Sequence, residues 1–121
     1  MLFRSYDALK NAKSVTLPEG DYDVFGDGSV VIKPAYGHTP GHSVLFVKLP
    51  KTGPVLLSGD LYHYPEEITL ERYPTFEFNR DQTKKARADI QAFMKQSGAK
   101  LWIQHDLAAF EKLKKAPGYY E

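Results

Sequence analysis

The sequence has no cysteine, which excludes disulfide staples, thiolate-bound zinc and thiol nucleophiles and leaves the redox compartment open. It also lacks any apolar run near the roughly 20 residues that a bilayer span requires. Residues 1–4 (MLFR) turn polar too early for a signal peptide, so a soluble and by default cytoplasmic protein is expected. An excess of one charge is missing too. The formal net charge is +1, and the 16 basic residues are dispersed except for Lys112, Lys114 and Lys115, which suit the last turn of a helix better than a phosphate-binding stripe. Neither nucleic acid nor membrane is expected as a partner. No internal repeat or low-complexity segment interrupts the 121 residues, and 42% hydrophobic content is enough for one domain, 1–121, with an ordinary core.

Periodicity divides the chain into mixed α and β elements. Leu2, Phe3, Tyr6, Leu9 and Ala12 recur at near-helical spacing and predict a short helix within residues 2–15. Residues 22–25 and 30–33 flank Gly26-Asp27-Gly28-Ser29, a hairpin signal. Residues 43–49 place Val44, Phe46 and Lys48 on one face and Leu45, Val47 and Leu49 on the other, as in a strand buried on both sides. A turn at residues 51–54 leads to a second buried strand at 55–58, so the two pair antiparallel. Residues 61–78 are aromatic-rich with no stable period, the mark of a loop that packs over something or serves function. Asn79 and Gln82 form a capping signal for a helix running to Gly98, with Ala86, Ile90, Phe93 and Met94 facing inward. Residues 99–104 read as a short strand. Asp106 caps a last helix reaching Lys115, with Leu107, Phe110 and Leu113 inward.

Three apolar runs end at side chains that can ligate a metal. In YGHTPGHSVL (residues 36–45), Pro40 and Gly41 forbid the helix that would stack His38 on His42, and the glycines allow a tight turn that aims an imidazole. LLSGDLYH delivers Asp60, and LWIQHD delivers His105. Taken singly, each histidine reads more readily as a satisfied core or loop residue than as a ligand. Three such strand ends in one small domain point to a shared metal site, which only tertiary structure can assemble.

GHTPGH, then LLSGDLYH, then WIQHD resembles the C-terminal half of the metallo-β-lactamase superfamily, most closely its N-acyl-homoserine lactonase branch. The likeness runs from about residue 22 onward. It implies an α/β (α+β) fold: half of an αββα sandwich, a mainly antiparallel sheet of two hairpin pairs with helices on one face. It also implies that His38 binds one metal, that Asp60 bridges two, and that His105 binds the other. His42 takes a supporting place. The implied cofactor is zinc, two per complete site, with manganese or iron as substitutes, and the implied reaction is lactone or ester ring opening by metal-bound hydroxide. A substrate-contacting tyrosine is associated with the position that His63 occupies here. Tyr62 and Tyr64 flank it, and Tyr62 is assigned as catalytic together with Asp60. The family's upstream HxHxDH motif, source of the remaining ligands, is absent from this sequence. The chain alone is therefore expected to bind metal weakly and to be inactive unless a complementary N-terminal half contributes. A self-swapped dimer cannot repair the site. Uncovered sheet surface favours a homo-oligomer or that missing half as partner. The alternative reading is a truncated, non-catalytic interaction module.

Overall fold

The alternating run Ser43–Leu49 forms the central strand β3 of a five-stranded sheet in the computed structural model, which describes residues 9–121. The strands follow chain order across the sheet: β1 (Tyr22–Asp23), β2 (Val30–Pro34), β3, β4 (Gly53–Leu57) and β5 (Lys100–Trp102). The first four are antiparallel, and β5 joins β4 in parallel with Leu57 opposite Trp102. A parallel neighbour demands a long crossover. Here the crossover carries a single 3-10 turn (Gly59–Leu61), a short helix α1 (Glu66–Thr69) and the long helix α2 (Arg80–Ser97). Helix α3 (Leu107–Lys112) follows β5.

Helix α2 forms where the sequence pattern placed it. The Asn79 side chain accepts the Gln82 N–H at 3.0 Å, and Gly98 ends the helix in the left-handed conformation at φ 69°. Its inward stripe buries Ala86 and Ile90 and packs Phe93 and Met94 against Val44, Phe46 and Leu56 of the sheet. Phe46 and Phe93 meet edge to face at 5.0 Å. Burial of apolar side chains of this size is worth about 1.5–3 kcal/mol each. The opposite face of β3 is less covered: Leu45, Val47 and Leu49 are only half-buried. The double burial expected of this strand holds on the α2 side alone.

Other expectations need correction. The hairpin between β1 and β2 is real, but its loop is longer than a two-residue turn, because Asp23 draws the Gly26 and Gly28 N–H groups onto its carboxylate at 3.0 and 2.7 Å. Half of the expected helix at residues 2–15 lies outside the described residues, and residues 13–18 carry no regular structure. Helix α3 stops at Lys112 instead of Lys115. Leu107 and Phe110 are 68% and 52% exposed, since α3 lies beyond the edge strand β5 and lines a shallow cleft with Trp102 and Ile103 instead of entering the core. No helix among the described residues is long and apolar enough to cross a membrane.

The crossover is fastened by a buried ion pair that periodicity does not reveal. Arg87 is 5% exposed and Glu67 8% exposed, with Nη2 to Oε2 at 2.7 Å. Arg87 also donates from Nε to the Leu61 carbonyl (3.0 Å) and from Nη1 to the Arg72 carbonyl (2.6 Å), and its guanidinium lies over the rings of Tyr62 and Tyr73. One planar cation thus holds three parts of the crossover onto α2. Arg87→Ala leaves the Glu67 carboxylate buried without its cation and is expected to cost about 3–5 kcal/mol by urea unfolding. Arg87→Lys should recover little of it, because an ammonium cannot match the three-way fork. A loss below about 1 kcal/mol, typical of an exposed pair, would contradict this role.

Candidate metal centre

Strand register brings the chemistry to one end of the sheet. Pro34 at the end of β2 pairs with Ser43 at the start of β3, and the ends of β4 and β5 lie beside them through Leu57 and Trp102. The histidine loop, the Ser58–Asp60 corner and the Ile103–His105 segment therefore emerge side by side. Ser58, fully buried, continues the β4–β5 pairing by donating its N–H to the Trp102 carbonyl at 3.0 Å.

The loop is pinned from within and from α2. Ala35 N–H donates to the His42 carbonyl at 2.9 Å, and Asn79 N–H donates to the Gly37 carbonyl at 2.8 Å. A side chain at Gly37, whose φ is 134°, would collide with the backbone of Thr83, so the loop lies directly on the start of α2. His38 Nδ1 lies 3.1 Å from Glu77 Oε1, and Glu77 in turn accepts from the Thr83 hydroxyl. This carboxylate orients the His38 ring from behind.

Around Asp60 the donors converge. His105 Nε2 lies 2.9 Å from Asp60 Oδ1, and His38 Nε2 lies 3.5 Å from Asp60 Oδ2. His63 stacks on His105 with ring centroids 5.3 Å apart and 19° between planes, and its centroid is also 5.3 Å from that of His38. One donor atom each from Asp60, His63 and His105 lie within 4.8 Å of one another. The hydrogen bond from His105 holds the Asp60 carboxyl below the usual carboxylate range, against the opposing effect of partial burial. Asp60 is thus a ready anion.

His42 has a separate task. Asp60 N–H donates to His42 Nε2 at 2.9 Å, so the proton sits on Nδ1, which donates to the Ala35 carbonyl at 2.9 Å. Burial pushes the His42 pKa down, in keeping with the neutral ring that this acceptor role requires. A side chain on Gly59 would come within 2.8 Å of His42 Nε2. Gly59, at φ 51°, is what allows the ring to reach the Asp60 backbone.

The sequence-nominated residues His38, Asp60 and His105 are therefore brought together, and His42 stands behind them. Tyr62 is not. Its side chain is fully buried in the core, where the hydroxyl accepts from Gln91 Nε2 at 3.0 Å and burial raises its pKa. His63 joins the group although residue patterns did not nominate it as a ligand. The signal was local, a histidine three residues after Asp60 at the same strand end. Glu77 carries no signal, since His38 lies 39 residues away in the chain, and Thr83 acts only through Glu77. Imidazole nitrogens and an ionised carboxylate with an acidic residue behind one ring are a donor set that fits a divalent transition ion.

Comparison with known proteins gives the same chemistry a context. No protein-family model matches the chain. It is 34% identical over 100 residues to the N-acyl homoserine lactonase AttM of Azorhizobium caulinodans, covering 83% of this chain and 38% of that protein. It is 27% identical over 101 residues to the N-acyl homoserine lactonase AiiA of Bacillus thuringiensis, covering 84% of this chain and 39% of that one. In structure it is similar to an N-acyl homoserine lactone hydrolase with N-hexanoyl-L-homoserine bound at its catalytic metal centre, with TM-score 0.76, 25% identity, and coverage of 88% of this chain and 41% of the other. A B. thuringiensis AiiA variant with bound N-decanoyl-L-homoserine gives TM-score 0.75 at 25% identity, with the same coverage. The chain thus spans about two fifths of these relatives, and its fold is the corresponding part of theirs, half of the metallo-β-lactamase sandwich.

His42→Phe keeps the ring volume and removes both hydrogen bonds that tie Ala35 to Asp60. It should lower the stability of metal-free protein by about 1–3 kcal/mol, the usual cost of orphaning buried polar groups. Urea unfolding measures it, and an unchanged midpoint would contradict the tie.

Proposed function

We propose that this chain, similar in sequence and fold to part of the N-acyl homoserine lactonases, supplies the Asp60 side of a metal-dependent hydrolase that opens lactone or related ester rings. The observation that carries the reading is the position of one carboxylate between two imidazoles, Oδ1 toward His105 and Oδ2 toward His38. Such a group suits a ligand shared by two ions, with His38 on one and His105 on the other. Zinc is the first candidate, and manganese or iron suit the same donors. When bound, such ions acidify a coordinated water and polarise the ester carbonyl.

The chain's own residues prepare the place. Asp60 stays anionic, and Glu77 fixes the His38 ring so that Nε2 faces Asp60. Beside His63, a cleft of about 580 Å³ sets Tyr64, Tyr73, Pro74 and Phe76 as an apolar wall for an acyl chain opposite the charged Glu66, Glu67 and Arg72 that also line it. The half-buried face of Leu45, Val47 and Leu49 is the surface against which a complementary segment or a second copy would pack.

A graft tests the reading. The matching segment of A. caulinodans AttM is replaced by this chain, and ring opening of N-hexanoyl homoserine lactone is followed by acid release. The chimera should be active, and Asp60→Ala within it should reduce kcat/KM by about 100-fold or more, as loss of metal-borne charge stabilisation demands. A folded, metal-loaded chimera that leaves the ring closed would overturn the proposal in favour of a non-catalytic module.

A further inference from the structure

We propose that the chain binds one divalent metal ion without help from any other segment, using Asp60, His63 and His105, with His63 as a full ligand. This rests on the metal reading above and departs from the expectation that the missing half must supply the remaining ligands. His38 faces Asp60 Oδ2 and His105 faces Oδ1, and one nitrogen each of His63 and His105 lies with one Asp60 oxygen within 4.8 Å of one another. Two histidines and a carboxylate are a minimal set for a catalytic zinc or ferrous site, and they leave coordination positions open to water.

His63 has no other employment. Its side chain is 12% exposed, yet Nδ1 is buried without a hydrogen-bond partner, and Nε2 makes no hydrogen bond among the described residues. Nδ1 lies 3.3 Å from Glu67 Oε1, although not oriented to bond it, and the backbone N–H of His63 donates to Glu67 Oε2 at 3.1 Å. Glu67 is itself fixed by Arg87. A carboxylate behind an imidazole is the arrangement that steadies metal-binding histidines, and a modest turn of the ring completes it when an ion engages the other nitrogen. A buried ring nitrogen without a hydrogen bond is costly, and turning Nδ1 toward Glu67 as an ion engages Nε2 would relieve it.

Cobalt(II) is the probe, because its visible absorption reports binding without any assay of turnover. Titration of the metal-free chain should saturate at one ion per chain. His63→Phe, which keeps the ring packing, and His63→Gln, which is smaller and polar, should both weaken binding by more than about 100-fold, beyond what loss of an outer-shell partner causes. Circular dichroism of the metal-free variants identifies any that fail to fold, and the folded one of the His63 pair decides. Parent-like binding by a folded His63 variant, with binding lost in His105→Ala, would overturn this inference and leave the proposed function standing. No binding by the parent would overturn this inference and leave the proposed function, whose site another segment completes, to be decided by the graft, and saturation at two ions would overturn the single-ion assignment alone.

Discussion

The structure depends on how one carboxylate is held. Asp60 sits in the 3-10 turn just past β4, with backbone angles of φ −95° and ψ 18° in the sparsely populated region where many functional residues are found. Its N–H donates to His42, its Oδ1 faces His105, and its Oδ2 faces His38. His38 and His42 come from the loop between β2 and β3 and His105 from the segment after β5, so Asp60 is correctly surrounded only when β2, β3, β4 and β5 end at the same level. Strand register, set by packing of Val44, Phe46 and Leu56 under α2, is thereby transmitted to the site.

The crossover between β4 and β5 is held differently. Its contact with α2 adds a polar network to the buried Leu61 and Tyr62: Arg87 reaches Glu67 and two carbonyls, while Glu77 reaches Thr83 and His38. Both carboxylates lie behind histidines of the metal group, so the interactions that fasten the crossover also orient the rings. Buried polar networks of this kind are unforgiving when one partner is lost, but they specify direction in a way apolar packing does not. That suits a segment whose work is to aim two imidazoles.

Much of this was legible in the residues. The alternation of residues 43–49, the Asn79 cap and Gly98 stop of α2, and the three strand ends at His38, Asp60 and His105 all follow from local rules, and the structure assembles them as the pattern requires. Local rules failed where partners are distant. Nothing near Arg87 announces Glu67 or Leu61, and nothing near Glu77 announces His38. Tyr62 was placed on the reactive side by adjacency to Asp60, but the chain turns between them, and an apolar ring with a satisfied hydroxyl is more stable against α2. The apolar spacing of residues 107–113 was mistaken for a core stripe because periodicity reports a face and not what covers it.

A metal ion at the end of this sheet is tested most directly by an anomalous difference map at the zinc edge from crystals of the chain grown with zinc. A strong peak is expected, bounded by the Asp60 carboxylate and the rings of His63 and His105, at the roughly 2.0–2.2 Å usual for zinc with nitrogen and oxygen ligands. A map with no peak there, or with zinc only on scattered surface carboxylates, would contradict it.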